Sequence, residues 1–430
     1  MIGSDIRISP RPTSTYIPHS SIYPLTTSMF NPARIRLPKQ TPIINSGRRA
    51  MQTKQHSLPA AYYRGGTSRA VFFKQSDLPH DRKHWASIFR SVIGSPDPYG
   101  RQLDGLGGGI SSLSKVCVVG ESSHRNADVD YTFVSLGIKN TDVDYSSNCG
   151  NMISAVGPFA VDSRLFPLAR ADADAASVRI HNTNTGKVIH SSFPVVDGEA
   201  ASSGDFSIDG VAGTAARVQL DFIDPAGSAT GKLLPTGNAT DIIDGVAATC
   251  IDAANPCVFV RAADLGVESN LTPDEITAHP DLLPRLDSIR RQAGVKMGLA
   301  ETPAQIPGSV PKICLVSAPS RSGARDTEQK QTSRDVDILA RALSVGQPHK
   351  AVPITVALAL AAAARVSGST VAGTVMGKGP IDNAGITIGH ASGNLLVGAN
   401  FDANGALTSA TVFRTARRLF EGRIFWKNDG

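Results

Sequence analysis

A chain of 430 residues with 41% hydrophobic and 19% charged side chains, 40 glycines and 27 prolines is too long for one ordinary core, too apolar for general disorder and too rich in helix breakers for a coiled coil. Its net charge of +6 sits almost wholly in the N-terminal segment: up to Leu58, eight basic residues (Arg7, Arg11, Arg34, Arg36, Lys39, Arg48, Arg49 and Lys54) stand against Asp5 alone, so the remainder is slightly acidic. That distribution argues against a nucleic-acid face on the folded part.

Residues 1 to about 56 are rich in Ser, Thr, Pro and Arg and nearly free of acids, a composition that cannot bury a core, and are expected to form a disordered extension. The same composition resembles a mitochondrial transit peptide, but Pro10, Pro12, Pro18, Pro24, Pro32, Pro38 and Pro42 break an amphipathic helix almost anywhere. The cytoplasm is therefore the expected compartment, with mitochondria as the alternative. Met51 could equally be an alternative start.

From Ala60 the pattern changes to short β-type runs at Ala70 to Phe73, Val116 to Val119, Val178 to His181, Val188 to His190 and Arg217 to Phe222. After the turn-rich segment 227–238 a second set follows at Pro256 to Val260, Lys312 to Ser317, Ile386 to Ile388 and Leu395 to Val397. Each set carries one segment that is apolar all round, NMISAVGPFAV after Cys149 and AVPITVALALAAAARV after Lys350, which predicts a helix enclosed by strands. The second, 16 residues long, falls short of the ~18–20 that a membrane span requires, so no membrane association is expected. Cys117, Cys149, Cys250, Cys257 and Cys314 are odd in number and free of CxxC, which fits a reducing compartment. The histidines and cysteines form no metal-ligand pattern, so neither metal nor other cofactor is expected.

Four loops carry chemistry. In S-S-N-C-G-N-M, residues 146–152, Cys149 stands at a helix start, where free N–H groups bind carboxylates and favour a thiolate; alternatively Asn148 caps the helix and Cys149 is a small filler. In D-G-L-G-G-G-I-S-S-L-S-K-V, residues 104–116, glycines followed by Ser111, Ser112 and Ser114 suit an anion, with Lys115 at the mouth of a β run; a solvated loop with an incidental lysine reads equally well. R-G-G-T-S-R, residues 64–69, is a hydroxyl-bearing turn between Arg64 and Arg69, each a potential carboxylate clamp. S-V-G-Q-P-H-K, residues 344–350, puts His349 and Lys350 at the second helix start, where a cation opposes the macrodipole unless an anion is bound. Together they describe a pocket for a small polyanion, without a nucleotide loop or a GxSxG signature.

These motifs, with T-N-T-G-K, L-D-F-I-D-P-A-G, D-A-A-N-P-C-V-F-V, G-Q-P-H-K-A, I-G-H-A-S-G and R-T-A-R-R-L-F-E-G, resemble the 2-methylaconitate cis–trans isomerase family, the PrpF-type proteins, in order from about Ala60 to Gly422. The resemblance implies an α+β, diaminopimelate-epimerase-like fold of two pseudosymmetric domains, each a β-barrel-like sheet around a central helix. The expected division is 1–56 extension, 57–235 first domain, 236–400 second domain and 401–430 a return to the first. It implies Lys115 and Cys149 as catalytic residues, and the four loops supply the expected substrate binders, Arg64, Gly66, Thr67, Ser68, Arg69, Ser114, Asn148, Gly150, Asn151, His349 and Lys350. Members move a proton or double bond beside carboxylates without a cofactor. The long extension resembles eukaryotic members, and the fungal conversion of cis-aconitate to trans-aconitate, on a route to itaconate, is the leading expected reaction. A small tricarboxylate is thus the expected partner, and a homodimer is compatible with this reading. Lys115 serves either as general base or, still protonated, as an electrostatic stabiliser. An amino-acid racemase would need a second cysteine at residues 344–350, and none is there.

Overall fold

The computed structural model describes residues 55–145, 149–168, 170, 173–268, 270–319, 336–344, 346–375 and 384–427; the expected extension lies outside the described residues up to position 54. The chain runs through β1 (His56–Gly65), β2 (Ser68–Lys74), helix α1 (Trp85–Ile93), β3 (Lys115–Glu121), β4 (Val129–Leu136), β5 (Val143–Asp144), helix α2 (Gly150–Asp162), β6 (Ala175–Asn182), β7 (Lys187–Val196), β8 (Glu199–Ala200) and β9 (Arg217–Ile223). It continues with β10 (Asp241–Ile243), β11 (Val246–Asp252), β12 (Pro256–Arg261), helices α3 (Pro273–Ala278) and α4 (Leu282–Lys296), β13 (Lys312–Ser317), β14 (Ile338–Ser344), β15 (Gln347–Pro348), helix α5 (Ile354–Arg365), β16 (Ile386–His390), β17 (Gly393–Phe401) and β18 (Leu407–Trp426).

One mixed sheet links all these strands, and within it a single pairing pattern occurs twice. β1 is antiparallel to β2, β2 parallel to β3, β3 antiparallel to β4, β4 parallel to β6, and β6 and β9 both antiparallel to β7. In the same order and sense, β11 pairs with β12, β12 with β13, β13 with β14, β14 with β16, β16 with β17 and β17 with β18. A two-residue strand and then the enclosed helix fall at the same place in each series, β5 before α2 and β15 before α5. β18 serves both: its first half pairs with β9 and β17, its second with β1.

Strands buried on both faces read as nearly continuous apolar runs, and their period of two divides the side chains between layers. In β3, Cys117 and Val119 join the inner core around α2 and α5, whereas Val116 and Val118 join an outer cluster under α1. β13 divides likewise, with Cys314 and Val316 inward and Ile313 and Leu315 outward beneath α4. α2 is buried without interruption from Met152 to Val161, as its all-round apolarity requires. α1 is amphipathic, burying Trp85, Ile88, Phe89, Val92 and Ile93 at 3–4 spacing, and it ends at Gly94, whose φ of 80° suits the left-handed position after a helix. Among the described residues no helix is long and apolar enough to cross a membrane.

The core also stores a pH dependence. His390, at the end of β16, accepts a 3.2 Å hydrogen bond at Nδ1 from the Ser392 N–H, and burial, followed by Arg414, pushes its pKa from 6.5 down to about 4. The unfolded chain therefore takes up this proton first. The stability His390 contributes is complete above the unfolded value and is lost as pH falls towards about 4, roughly 3 kcal/mol in all. Urea-unfolding midpoints are expected to decline across that window, and His390→Asn to flatten the slope. Asp97, Asp128, Asp130 and Asp287, held below 3.8, act only at lower pH.

Candidate active site

The R-G-G-T-S-R turn lies directly on the start of α2. Gly65 pairs with Ser68 across the tip of the β1–β2 hairpin, which leaves Gly66 and Thr67 as a two-residue turn with Gly66 at φ +52°. A Cβ on Gly65 would stand 2.6 Å from the Asn151 carbonyl oxygen, and one on Gly66 2.5 Å from Asn151 Oδ1, so only glycines let the tip approach the helix. Asn151 Nδ2 donates to Thr67 Oγ1 at 3.1 Å and joins the two motifs. Arg64 braces the hairpin: its Nη1 donates to the Gly66 and Thr415 carbonyls, both at 3.0 Å, and to Thr415 Oγ1 at 2.9 Å. Ser68 is buried on the inner side. The strand period sends Arg69 to the outer face, where its guanidinium lies 5.7 Å from the Tyr62 ring centre, so the structure does not bring Arg69 to this group.

The glycine-rich loop departs from expectation. Its amides do not form an open anion cradle, because the terminal carbonyls of α1 consume them: Leu106 N–H donates to Val92 O at 2.9 Å and Gly107 N–H to Ile93 O at 3.0 Å. Gly109 N–H donates to Gln102 Oε1 at 2.9 Å, and Ser114 Oγ lies 2.7 Å from the same oxygen and 2.9 Å from Ile110 O. Ser114 is thus an internal brace, fully buried, and the loop's task is to deliver Lys115 to the first position of β3. Lys115 shares the parity of Cys117, so it faces inward; it is 8% exposed, with Nζ 5.1 Å from the Phe133 ring centre.

Cys149 itself is the N-cap of α2, with extended backbone angles and its carbonyl accepting from Met152 N–H at 3.0 Å. This corrects the alternative in which Asn148 caps the helix; Asn148 lies outside the described residues. Cys149 is partly buried against the inner core and makes no side-chain capping bond. Its relation to Lys115 is visible through Cys117. Burial pushes that thiol well above its usual range, Cys149 acts in the same sense, and the Tyr131 hydroxyl, 3.9 Å away, and Lys115 act against. Thiol 149 and amine 115 thus both act on the electrostatics of one buried sulfur.

The second enclosed helix meets the first end to end. A Cβ on Gly150, the first residue of α2, would stand 2.7 Å from Cδ1 of Ile354, the first residue of α5. Both N-termini, each with N–H groups that have no acceptor within the helix, thus point at common ground. His349 is half-buried before α5, tied by its N–H to Ala342 O at 2.8 Å; burial, and after it Lys312, lower its pKa, so the ring is neutral. Among the described residues nothing hydrogen-bonds its buried Nε2. Lys350 is exposed. Pro353 caps α5 where Cys149 caps α2, so the second helix start has no thiol. Sequence reasoning missed Lys312, whose Nζ donates to Thr355 Oγ1 in the first turn of α5 at 3.4 Å.

Two enclosed helices in twin strand series, meeting N-terminus to N-terminus, define the diaminopimelate-epimerase-like fold. Residues 55–427 match the PrpF protein family, and the chain belongs to it. It is 38% identical to 3-methylitaconate isomerase of Eubacterium barkeri and 39% identical to 2-methyl-aconitate isomerase of Shewanella oneidensis, each comparison covering 86% of this chain and 97% of the relative. The 4-oxalomesaconate tautomerase of Pseudomonas putida is 36% identical over 86% of this chain and 96% of its own. The crystal structure of a methylitaconate-delta-isomerase superposes with a TM-score of 0.79 at 38% identity, covering 86% of this chain and 96% of that one. The chain is an isomerase.

The end-to-end contact is open to test. Gly150→Ala places a methyl into Ile354 and is expected to cost about 1–3 kcal/mol of unfolding free energy. Adding Ile354→Val should recover part of that loss in a double-mutant cycle followed by urea denaturation.

Proposed function

We propose that this isomerase acts on unsaturated tricarboxylates, with cis-aconitate to trans-aconitate as the leading reaction and Lys115 and Cys149 as the proton-transfer pair. The reading is carried by two helix N-termini that meet at Gly150 and Ile354, together with an inward-facing lysine on β3 that is 8% exposed and has no carboxylate in ion-pair reach among the described residues. Such a place has donors and positive potential but no anion of its own. The names of the relatives, which specify methylitaconate, 2-methyl-aconitate and oxalomesaconate, support an unsaturated acid carrying several carboxylates.

The chemistry follows from the substrate. The methylene of cis-aconitate is flanked by a carboxylate and a double bond, so removing its proton gives a carbanion delocalised over the allyl unit and the carboxyl groups. Lys115 in its amine form takes that proton. The former double bond then has partial single-bond character, and a proton returned to the far end of the allyl unit, from Cys149 or from the Lys115 ammonium, leaves the trans isomer with every proton accounted for. The α2 and α5 N-termini, Thr67 and Asn151 face the carboxylates where negative charge grows, the term that usually contributes most to catalysis. Neutral His349 offers its ring nitrogen to the same ligand.

The alternatives are the cis–trans isomerisation of 2-methylaconitate and the double-bond migration of oxalomesaconate or of methylitaconate, which is a dicarboxylate. NMR in D2O with cis-aconitate, trans-aconitate, 2-methylaconitate and methylitaconate separates them, and the product is expected to carry deuterium at the carbon that receives the proton. Lys115→Ala is expected to lower kcat by about 10³-fold or more with an unchanged melting temperature. A variant that keeps wild-type turnover would remove the lysine from the mechanism.

A further inference from the structure

The duplicated strand order pairs Lys115 with a second lysine. β3 and β13 occupy the same place in their series, each parallel to the strand before it and antiparallel to the strand after it. Their sequences begin alike, Lys-Val-Cys-Val-Val at 115–119 and Lys-Ile-Cys-Leu-Val at 312–316. Lys312 therefore stands to α5 as Lys115 stands to α2. The strand period confirms the direction: Cys314 and Val316 pack in the inner core, and Lys312, of the same parity, reaches the first turn of α5 to donate to Thr355 Oγ1 at 3.4 Å. Its charge is felt by the ring of His349.

Packing does not account for this lysine. A cation in the first turn of a helix opposes the macrodipole. Among the described residues no carboxylate lies within ion-pair reach of Lys312, and Thr355 takes only one of its three N–H donors. The buried Nε2 of His349, which has no protein partner among the described residues, adds a second unanswered polar group at the same helix end.

We propose that Lys312 is a substrate-binding lysine that holds the carboxylate farthest from Lys115 and so selects acids with carboxylates at both ends of the carbon chain. The inference rests on the polycarboxylate reading above and deepens it: Lys115 works at the reacting carbons, and Lys312, with His349 and the α5 N-terminus, anchors the remote end. A ligand with one carboxylate cannot satisfy both helix ends and gains nothing from Lys312.

The test uses the full chain and tricarballylate, the saturated tricarboxylate, which cannot be isomerised. By calorimetry Lys312→Met is expected to bind it about 10–150-fold more weakly than wild type, the range of a charge-assisted hydrogen bond. Lys312→Arg should stay within about fivefold of wild type, since its charge and donors remain. With cis-aconitate the methionine variant should show a raised KM and a kcat that falls far less, and crotonate, with one carboxylate, should bind both proteins alike. Lys312→Gln, which keeps a polar neighbour for Thr355, carries the same expectation should the methionine variant fail to fold. Unchanged tricarballylate affinity in the methionine or glutamine variant overturns the proposal, as does a loss in the arginine variant equal to that of the methionine variant. Lys312-dependent tricarballylate binding in a protein that turns over none of the unsaturated acids would uphold the binding role and defeat the isomerase substrate reading instead.

Discussion

Two helices that meet N-terminus to N-terminus inside one core set the electrostatic condition around which the molecule is arranged. Gly150 lies against Ile354 with no room for a side chain, so the positive ends of α2 and α5 are held together. Each end carries about half a positive charge, and its interaction with a nearby charge amounts to about 0.3–1 kcal/mol where solvent screens it and up to about 2 where it does not. Opposing this is the burial of ten consecutive residues of α2 and nine residues of α5, at about 25 cal/mol for each Å² of apolar surface removed from water. Burial wins by a wide margin, and the repulsion is carried by the fold rather than relieved by it.

That condition makes the ligand class intelligible. Lys312 adds a cationic side chain at the first turn of α5, and the hairpin tip brings the Thr67 hydroxyl to the Asn151 amide in the first turn of α2. A single carboxylate neutralises one end and leaves the other. A small acid with several carboxylates answers both at once, and on the proposed function the number of negative charges on the ligand matters more than its shape.

Much of this was legible in the sequence because it depends on local patterns. The all-round apolarity of the two segments after Cys149 and Lys350 marked α2 and α5, and the strand runs from Ala70 to Leu395 all fall within observed strands. The second helix begins at Ile354 rather than directly after Lys350 because Pro353 lies outside its first turn as cap. What stayed hidden depends on pairing. Arg69 and Ser68 are neighbours in sequence and on opposite faces in the sheet, and the amides of Leu106 and Gly107 look free until α1 is seen to end beside them. The likeness of residues 115–119 to 312–316 is five residues long and nearly 200 positions apart, too slight to notice before β3 and β13 are known to be counterparts.

The two series are alike in strand order and unlike in chemistry, and the difference suits the proposed reaction. A racemase takes a proton from one face of a planar carbanion and returns one to the other, so it needs an acid or base on both sides. Moving a double bond along an allyl unit needs no second face, since the proton can leave one carbon and arrive at another from the same side. Here the first series supplies a thiol at its helix cap and an amine on β3, whereas the second has Pro353 at the equivalent cap, which has no proton to give, with Lys312 and a neutral His349 nearby. The repeated strand order thus gives two positive helix ends with different caps, and under the proposed reaction proton transfer belongs to the end capped by Cys149 and ligand anchorage to the end capped by Pro353.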